Sequence, residues 1–446
     1  MRRSDGLAAT AAAVAALGVA SVCLAQVAET ASPLTVVVGS PQGAAVMDRL
    51  DTRRSNRGTS PLPRQSLRIL WSRHLHRASH PPLVLLDGAV VAIADDGDTL
   101  VLNADGTDRA RLTLGPGPLS AAALLSDGTF TAFNGAGDAV GVQRGTIRWR
   151  THLIDPPPGA ERRPRSLGRG RHRLAAMDPE TESGAVASPL PLDDGGVVMA
   201  LDRELFCLDS LGSVRARAAT PDAVGYPLLG TGRSVVMVAE DGDVLTWTPG
   251  DTVHKRGSFG VPIDGAATLD TADSILGVTG SRVMALNLMT GALTERGSSG
   301  RGVFVGPASL TADGLMIQEL TPTGTRAVHL APDGQAEVVA TLSPQGAVPA
   351  ADGGVLLLMA PTHTALLTDP SGAIAYGTVD GRVGVASPGE KTELGEFVCG
   401  RPPPPSTDPF RQGARASAGF VGIVPAGARA FVVACEDGNV ALIRGE

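Results

Sequence analysis

Side chains able to do chemistry are sparse in this sequence and do not converge. His74 and His76 are spaced to share one face of an extended strand, with His80 following, but as metal ligands they need a third donor from elsewhere. His152, His172, His254, His329 and His363 stand in unrelated contexts, so spacing assembles no Ser/His/Asp or Cys/His constellation. Of the cysteines, Cys23 lies in the N-terminal apolar segment, while Cys207, Cys399 and Cys435 lie well downstream. None forms a CxxC, and none sits beside a histidine at metal-ligand spacing. The densest charge is the run Arg162, Arg163, Arg165, Arg169, Arg171 and Arg173. It reads either as a patch that captures an anionic surface, such as a cell-wall polymer, lipid head groups or an acidic partner, or as a solvated loop. A nucleic-acid role is excluded: the run has no aromatic residue to stack on a base, and the whole chain carries a net charge of −7. Acidic turns such as Asp95-Asp96-Gly97-Asp98 and Glu240-Asp241-Gly242-Asp243 could collect calcium on one face, but Asp and Gly are also what tight turns require.

The elements that would hold these residues are repeated. A short unit of apolar strand, DG turn and second apolar strand recurs, and its second strand places Leu102, Val142, Leu208, Trp247, Leu286, Leu330, Val385 and Leu442 in equivalent positions. Successive gaps are 40, 66, 39, 39, 44, 55 and 57 residues, which is about 40 with occasional insertions. Forty-odd residues is the length of one four-stranded propeller blade. Alternating residues such as Leu100 and Leu102 put one strand face against the neighbouring blade. A lone blade cannot bury both its faces, so blades must stack. With Gly at 56 residues, Pro at 33 and no amphipathic helical stretch, the reading is all-β: a propeller of eight four-stranded blades, with seven as the alternative. The 55-residue gap over 345–396 is where a degenerate blade could hide.

The ends supply the closure. The last unit stops at Glu446 without an outer strand, and an orphan strand, Ser66 to Leu75, precedes the first unit. Pairing Leu67–His74 with Val440–Arg444 completes a blade and covers both free edges. The propeller thus runs over 66–446, interrupted by insertions at 154–184 and 400–417. Each insertion links the outer strand of one blade to the inner strand of the next, so both lie on the propeller face that carries the DG turns. Cys399 ends an outer strand and Cys435 precedes a DG turn, so both run toward that same face. They either form a disulfide, leaving Cys207 as a buried thiol, or all three are isolated.

Residues 1–25 read as an export signal: Arg2-Arg3, the Ala-rich run Leu7–Ala20, and small residues before Gln26. The motif after Arg3 lacks the apolar residues of a twin-arginine signal. Cys23 could carry a lipid anchor, although Val22 before it is bulky for a lipobox. No later segment has the roughly twenty apolar residues of a membrane helix. Residues 26–65 are polar, with Pro, Gly and Arg, and read as a linker.

The unit resembles the pyrroloquinoline-quinone-like propeller repeats, on VVAIADDGDTLVLNADG from Val90, VVMVAEDGDVLTWTPG from Val235 and GAIAYGTVDGRVGVASPG from Gly372. The lead-in from Leu50 also looks like that of large exported bacterial members. Only Trp71 and Trp149 occupy the family's outer-strand tryptophan position. The cofactor-using enzymes of this superfamily imply a quinone, a calcium ion, a vicinal cysteine pair and Trp-rich motifs. With no adjacent cysteines and 3 tryptophans, this chain departs from them, so no cofactor, metal or catalytic residue is expected. The resemblance implies a periplasmic or cell-surface bacterial protein. It is expected to act as a binding or assembly scaffold docking a protein or anionic envelope component on one decorated face. The alternative is a small-ligand-binding sensor or cofactor-dependent enzyme using the central channel, and convergent polar groups in that channel would favour it.

Overall fold

The computed structural model describes residues 47, 50–78, 80–117, 120–155, 187–192, 194–231, 234–300, 302–343, 348–349, 355–356, 366–378, 381–387, 393–400 and 419–446. These residues form eight four-stranded antiparallel sheets, the blades of a β-propeller, with no helix among them. Blade 1 comprises Leu83–Val84, Val90–Ile93, Asp98–Leu102 and Asp108–Thr113, from the channel outward. Blades 2 to 7 have inner strands at Ala123–Leu124, Leu190–Pro191, Leu229–Gly230, Thr268–Thr271, Val303–Leu310 and Leu367–Thr368. Blade 8 is built from Phe420–Pro425, Ala430–Cys435, Asn439–Arg444 and, as its outer strand, Arg68–His74. The eight equivalent apolar positions of the sequence all fall in third strands.

Burial explains the strand order. Second strands such as Val90–Ile93 and Val235–Val238 are buried at every residue, because neighbouring blades cover both their faces. They therefore read as continuous apolar runs. Outer strands such as Asp108–Thr113 alternate between exposed and half-buried. The DG turns have a steric reason as well. Gly97, Gly242 and Gly438 each have φ of +89°, and a Cβ on Gly97 would meet the Gly115 carbonyl oxygen at 1.8 Å.

The ring closes as the free edges required. Arg68–His74 pairs antiparallel with Asn439–Arg444, from Arg68 opposite Arg444 to His74 opposite Asn439. Trp71 then lies on the turn of blade 1, where a Cβ on Gly106 would come within 2.5 Å of its ring. Trp149 of blade 2 meets Gly212 of blade 3 in the same way, at 2.5 Å. In the long interval before blade 7, Val348–Pro349 pairs with Val355–Leu356 as a separate hairpin.

Residues 26–65, expected as a linker, are described at 47 and 50–65, and much of that stretch is packed rather than free. Leu50 and Arg54 have no exposed surface, and Met47, Thr52, Ser55, Asn56 and Leu62 are buried. Residues 50–58 run along the inner strands of the blades, in the propeller's central channel. Their polar composition conceals the burial, because their partners are backbone groups of the blades.

Candidate functional site

The channel is lined by the inner edges of the blades, whose N–H and C=O groups have no strand neighbour on that side. Residues 50–62 satisfy many of them in turn. The Gly230 N–H donates to the Thr52 carbonyl at 2.9 Å, Leu269 to Arg53 at 2.9 Å, Leu310 to Ser55 at 2.8 Å and Thr368 to Asn56 at 3.1 Å. Blades 4 to 7 thus each give one inner-strand amide to the segment. The Gly58 N–H answers with a bond to the Thr368 carbonyl at 2.7 Å. To pass from blade to blade the chain turns sharply, with positive φ at Leu50, Arg54 and Asn56. Beyond it, the Arg429 N–H donates to the Pro61 carbonyl at 3.0 Å and Arg64 donates to Glu446 at 2.8 Å, leading directly into the closing strand.

Arg54 anchors the segment. Its Nε donates to the Leu228 carbonyl at 2.8 Å, and its terminal nitrogen donates to Ser188 and Pro189 carbonyls at 3.1 and 3.0 Å. Those acceptors lie just before the inner strands of blades 3 and 4, so one buried guanidinium ties two blades to the channel chain. Asp51 organises the next turn: Oδ1 accepts from the Arg53 and Ser55 N–H groups at 3.1 and 2.9 Å, and Oδ2 accepts from Ser55 Oγ at 2.5 Å. Alternate residues then face opposite ways. Asp51, Arg53, Ser55 and Arg57 line a cavity of about 610 Å³ at the channel mouth, on the face bearing the turns between first and second strands of blades 5 to 7.

The opposite face carries the DG turns and the roots of both insertions. Cys399 and Cys435 are joined by a disulfide, with Cα atoms 5.4 Å apart, and Cys207 is a buried free thiol. Burial pushes the Cys207 thiol above its ordinary range. Both ends of the second insertion grip one turn: the Gly400 N–H donates to Asp437 Oδ2 at 2.8 Å, and the Glu436 N–H donates to the Gly419 carbonyl at 2.9 Å. At the root of the first insertion, His152 bridges Asp138 and Asp155, at 2.9 and 3.1 Å. The Asp138 carboxylate, then that of Asp155, raises the imidazole above its ordinary value of 6.5. The candidate arginines Arg162, Arg163, Arg165, Arg169, Arg171 and Arg173 lie outside the described residues, as does Cys23.

The acidic DG turns spend their carboxylates locally. Asp96, Asp241 and Asp437 each accept the backbone N–H two residues on, at 3.1, 2.8 and 3.1 Å. His74 and His76 are exposed, and His76 stands 3.6 Å from Asp95. Among the described residues, no group of three His, Cys, Asp or Glu side chains is placed to hold a metal ion. A different repeated pair ties the first turn of a blade to its outer strand: Asp87–Arg109 at 2.5 Å, Asp127–Arg148, and Asp194–Arg215 at 2.5 Å. The sequence reading missed both these pairs and the channel segment. The recurring LDG, SDG and DDG turns with Arg in the following outer strand were the available signal for the pairs.

No family model matches the chain, and no curated protein matches it. Solved structures do resemble it. BamB from Moraxella catarrhalis superposes with a TM-score of 0.52 at 14% identity, covering 86% of this chain and 98% of that one. The computationally designed Ika8 protein superposes with a TM-score of 0.55 at 13% identity, covering 87% of this chain and all of that one. At such identities the likeness is one of fold.

Proposed function

We propose that this protein is an exported, non-catalytic scaffold of the bacterial envelope that docks a partner on the propeller face carrying the two insertions. The observation that carries this reading is the channel: residues 50–58 occupy it and bond to the inner strands of blades 4 to 7, which leaves recognition to the faces. The second insertion is held for such a role. Its two ends meet at the Glu436-Asp437 turn, directly after the disulfide-linked Cys435. A loop with a fixed base loses less conformational freedom on binding than one that is free at both ends. The arginine run at 162–173 belongs to the other insertion, whose root at Asp155 is on the same face, and would supply cationic groups for an acidic protein or an anionic envelope component. The likeness to BamB supports a propeller of this kind, and the disulfide suits an oxidising compartment. Export would use residues 1–25, giving a mature chain that begins near Gln26.

The test is cross-linking and capture in the native envelope, with a variant in which 401–418 are replaced by a short Gly/Ser bridge and another in which the six arginines become Gln. Loss of a specific cross-linked partner at unchanged melting temperature is expected. Undiminished capture by both variants would move docking off this face.

A further inference from the structure

The cavity at the channel mouth has a chemistry that the scaffold reading does not use. We propose that it is a binding site for an organic carboxylate, with Arg57 as the principal ligand. The inference stands independently of partner docking, which concerns the opposite face.

The charged groups that line the cavity are unequally satisfied. Three carboxylates line the cavity, and each has a donor in the structure. Asp51 accepts three bonds within its own turn. Asp270 stands 3.6 Å from the Arg296 guanidinium, and Asp313 lies 3.2 Å from His329 Nε2. The cations are not matched in the same way. The Arg57 guanidinium lines the cavity, and among the described residues it has neither hydrogen-bond nor ion-pair partner. Arg53 donates only to neutral carbonyls, through Nε to Leu269 at 3.0 Å and through a terminal nitrogen to Asp270. Two guanidiniums four residues apart on one buried segment thus leave donors directed at a space of about 610 Å³. That is room for a small organic molecule.

The lining also selects the anion. A guanidinium fork matches carboxylate and phosphate alike. A phosphate dianion, however, would bring two charges near Asp51, Asp270 and Asp313, whereas a carboxylate brings one. Leu310, Ala312, Pro332 and Pro370 offer apolar wall to an organic body, which inorganic phosphate lacks. The ligand class is therefore a monocarboxylate with an apolar portion.

The test uses the full mature chain and three probes: hexanoate, its neutral isostere hexanamide, and inorganic phosphate, titrated by calorimetry at low salt. Hexanoate is expected to bind with a dissociation constant on the order of millimolar, as a ligand of this size allows. Hexanamide is expected to bind at least tenfold more weakly, and Arg57→Gln to weaken hexanoate at least tenfold. Arg57 bonds nothing through its side chain, so the variant should melt with the native protein. Arg109→Gln, on the same face but ion-paired to Asp87, should leave hexanoate binding within twofold. Absence of hexanoate binding, or equal binding by Arg57→Gln, overturns the site. Phosphate binding more tightly than hexanoate in an Arg57-dependent way overturns the ligand class.

Discussion

Replacing Arg54 by Ala tests whether the channel segment holds the ring together. The side chain is fully buried and bonds three carbonyls at 2.8, 3.1 and 3.0 Å. Truncation removes a bond from each acceptor, of which Ser188 keeps only the longer one from the Leu228 N–H at 3.3 Å, at about 1 kcal/mol per bond lost. It also empties roughly 85 Å³, which at about 24 cal/mol per Å³ adds ~2 kcal/mol. Relief of the cation's own desolvation works in the opposite direction by ~1 kcal/mol or more. The net expectation is a loss of about 4 kcal/mol. With an unfolding entropy of ~2.1 cal/mol/K per residue over the roughly 400 residues from Met47 onward, that is a fall of about 5 °C in melting temperature. Arg54→Met refills the space without the donors, so it should recover about 2 °C of that fall, and Arg54→Lys should not restore all three bonds. Differential scanning calorimetry of the three variants reads this directly. Melting of Arg54→Ala within 1 °C of the parent would mean that the segment decorates the channel without bracing it.

Other perturbations follow from the same contacts. The Cys399–Cys435 bridge spans 36 residues, and on chain-entropy grounds Cys399→Ser should cost about 4 kcal/mol, less any native-state strain; an equal melting temperature with and without reductant would contradict this. Removing residues up to Leu75 exposes the Asn439–Arg444 edge and empties the channel, so light scattering should show aggregation, and a soluble, equally stable truncation would rule the closure out. Asp87, Asp127 and Asp194 all titrate below their ordinary 3.8: Arg109 lowers Asp87 directly, while at the other two burial pushes upward and is outweighed by bonds from Thr129 and Arg148, or from Arg215 and Gly196. Their stabilisation is therefore complete above pH ~4 and lost as pH falls through the lower folded values, and replacing all three by Asn should flatten the acid limb of a melting-temperature series. Parallel acid limbs would show the pairs to be energetically silent.

The legible parts of this sequence were those where side chains alone carry the instruction. Leu102, Trp247 and Leu442 marked their strands because third strands are packed on both faces and followed by glycine turns of fixed geometry. The orphan strand around Trp71 was legible because an unpaired end at Glu446 needed a partner. Inner strands such as Leu83–Val84 are two residues long, below the length at which alternation means anything. The channel segment was illegible for a deeper reason. Leu50, Arg54 and Asn56 adopt positive φ, and their neighbours bond through backbone carbonyls that any residue type possesses. Polar letters there read as solvated chain, and nothing in Asp51-Thr52-Arg53-Arg54 announces that blades supply the partners. The candidate arginines at 162–173 were found by type alone, without a structural context to say what they face.

Closure and channel filling should also be one event in time. Residues 50–65 run directly into the closing strand, so placing one fixes the position of the other. The partners of the channel segment are distant: Arg54 reaches Leu228 across 174 residues, and Asn56 Nδ2 reaches the Leu366 carbonyl across 310. Each blade, by contrast, is a run of local hairpins that can form once its own strands exist. Loop-closure entropy must be met before distant contacts stabilise anything, so blades should form early and the channel segment should dock last. Pulse-labelling hydrogen exchange during refolding separates the two. Amides that pair within blades, such as Val236 with Thr246 and Leu276 with Ala285, should be protected in an early phase. The Gly230, Leu269, Leu310 and Thr368 amides, which donate to residues 52–56, should gain protection together in a later phase, with the closing pairs of Arg68–His74. Early protection of those four amides would mean that the N-terminal segment templates the ring and the blades assemble around it, the reverse order.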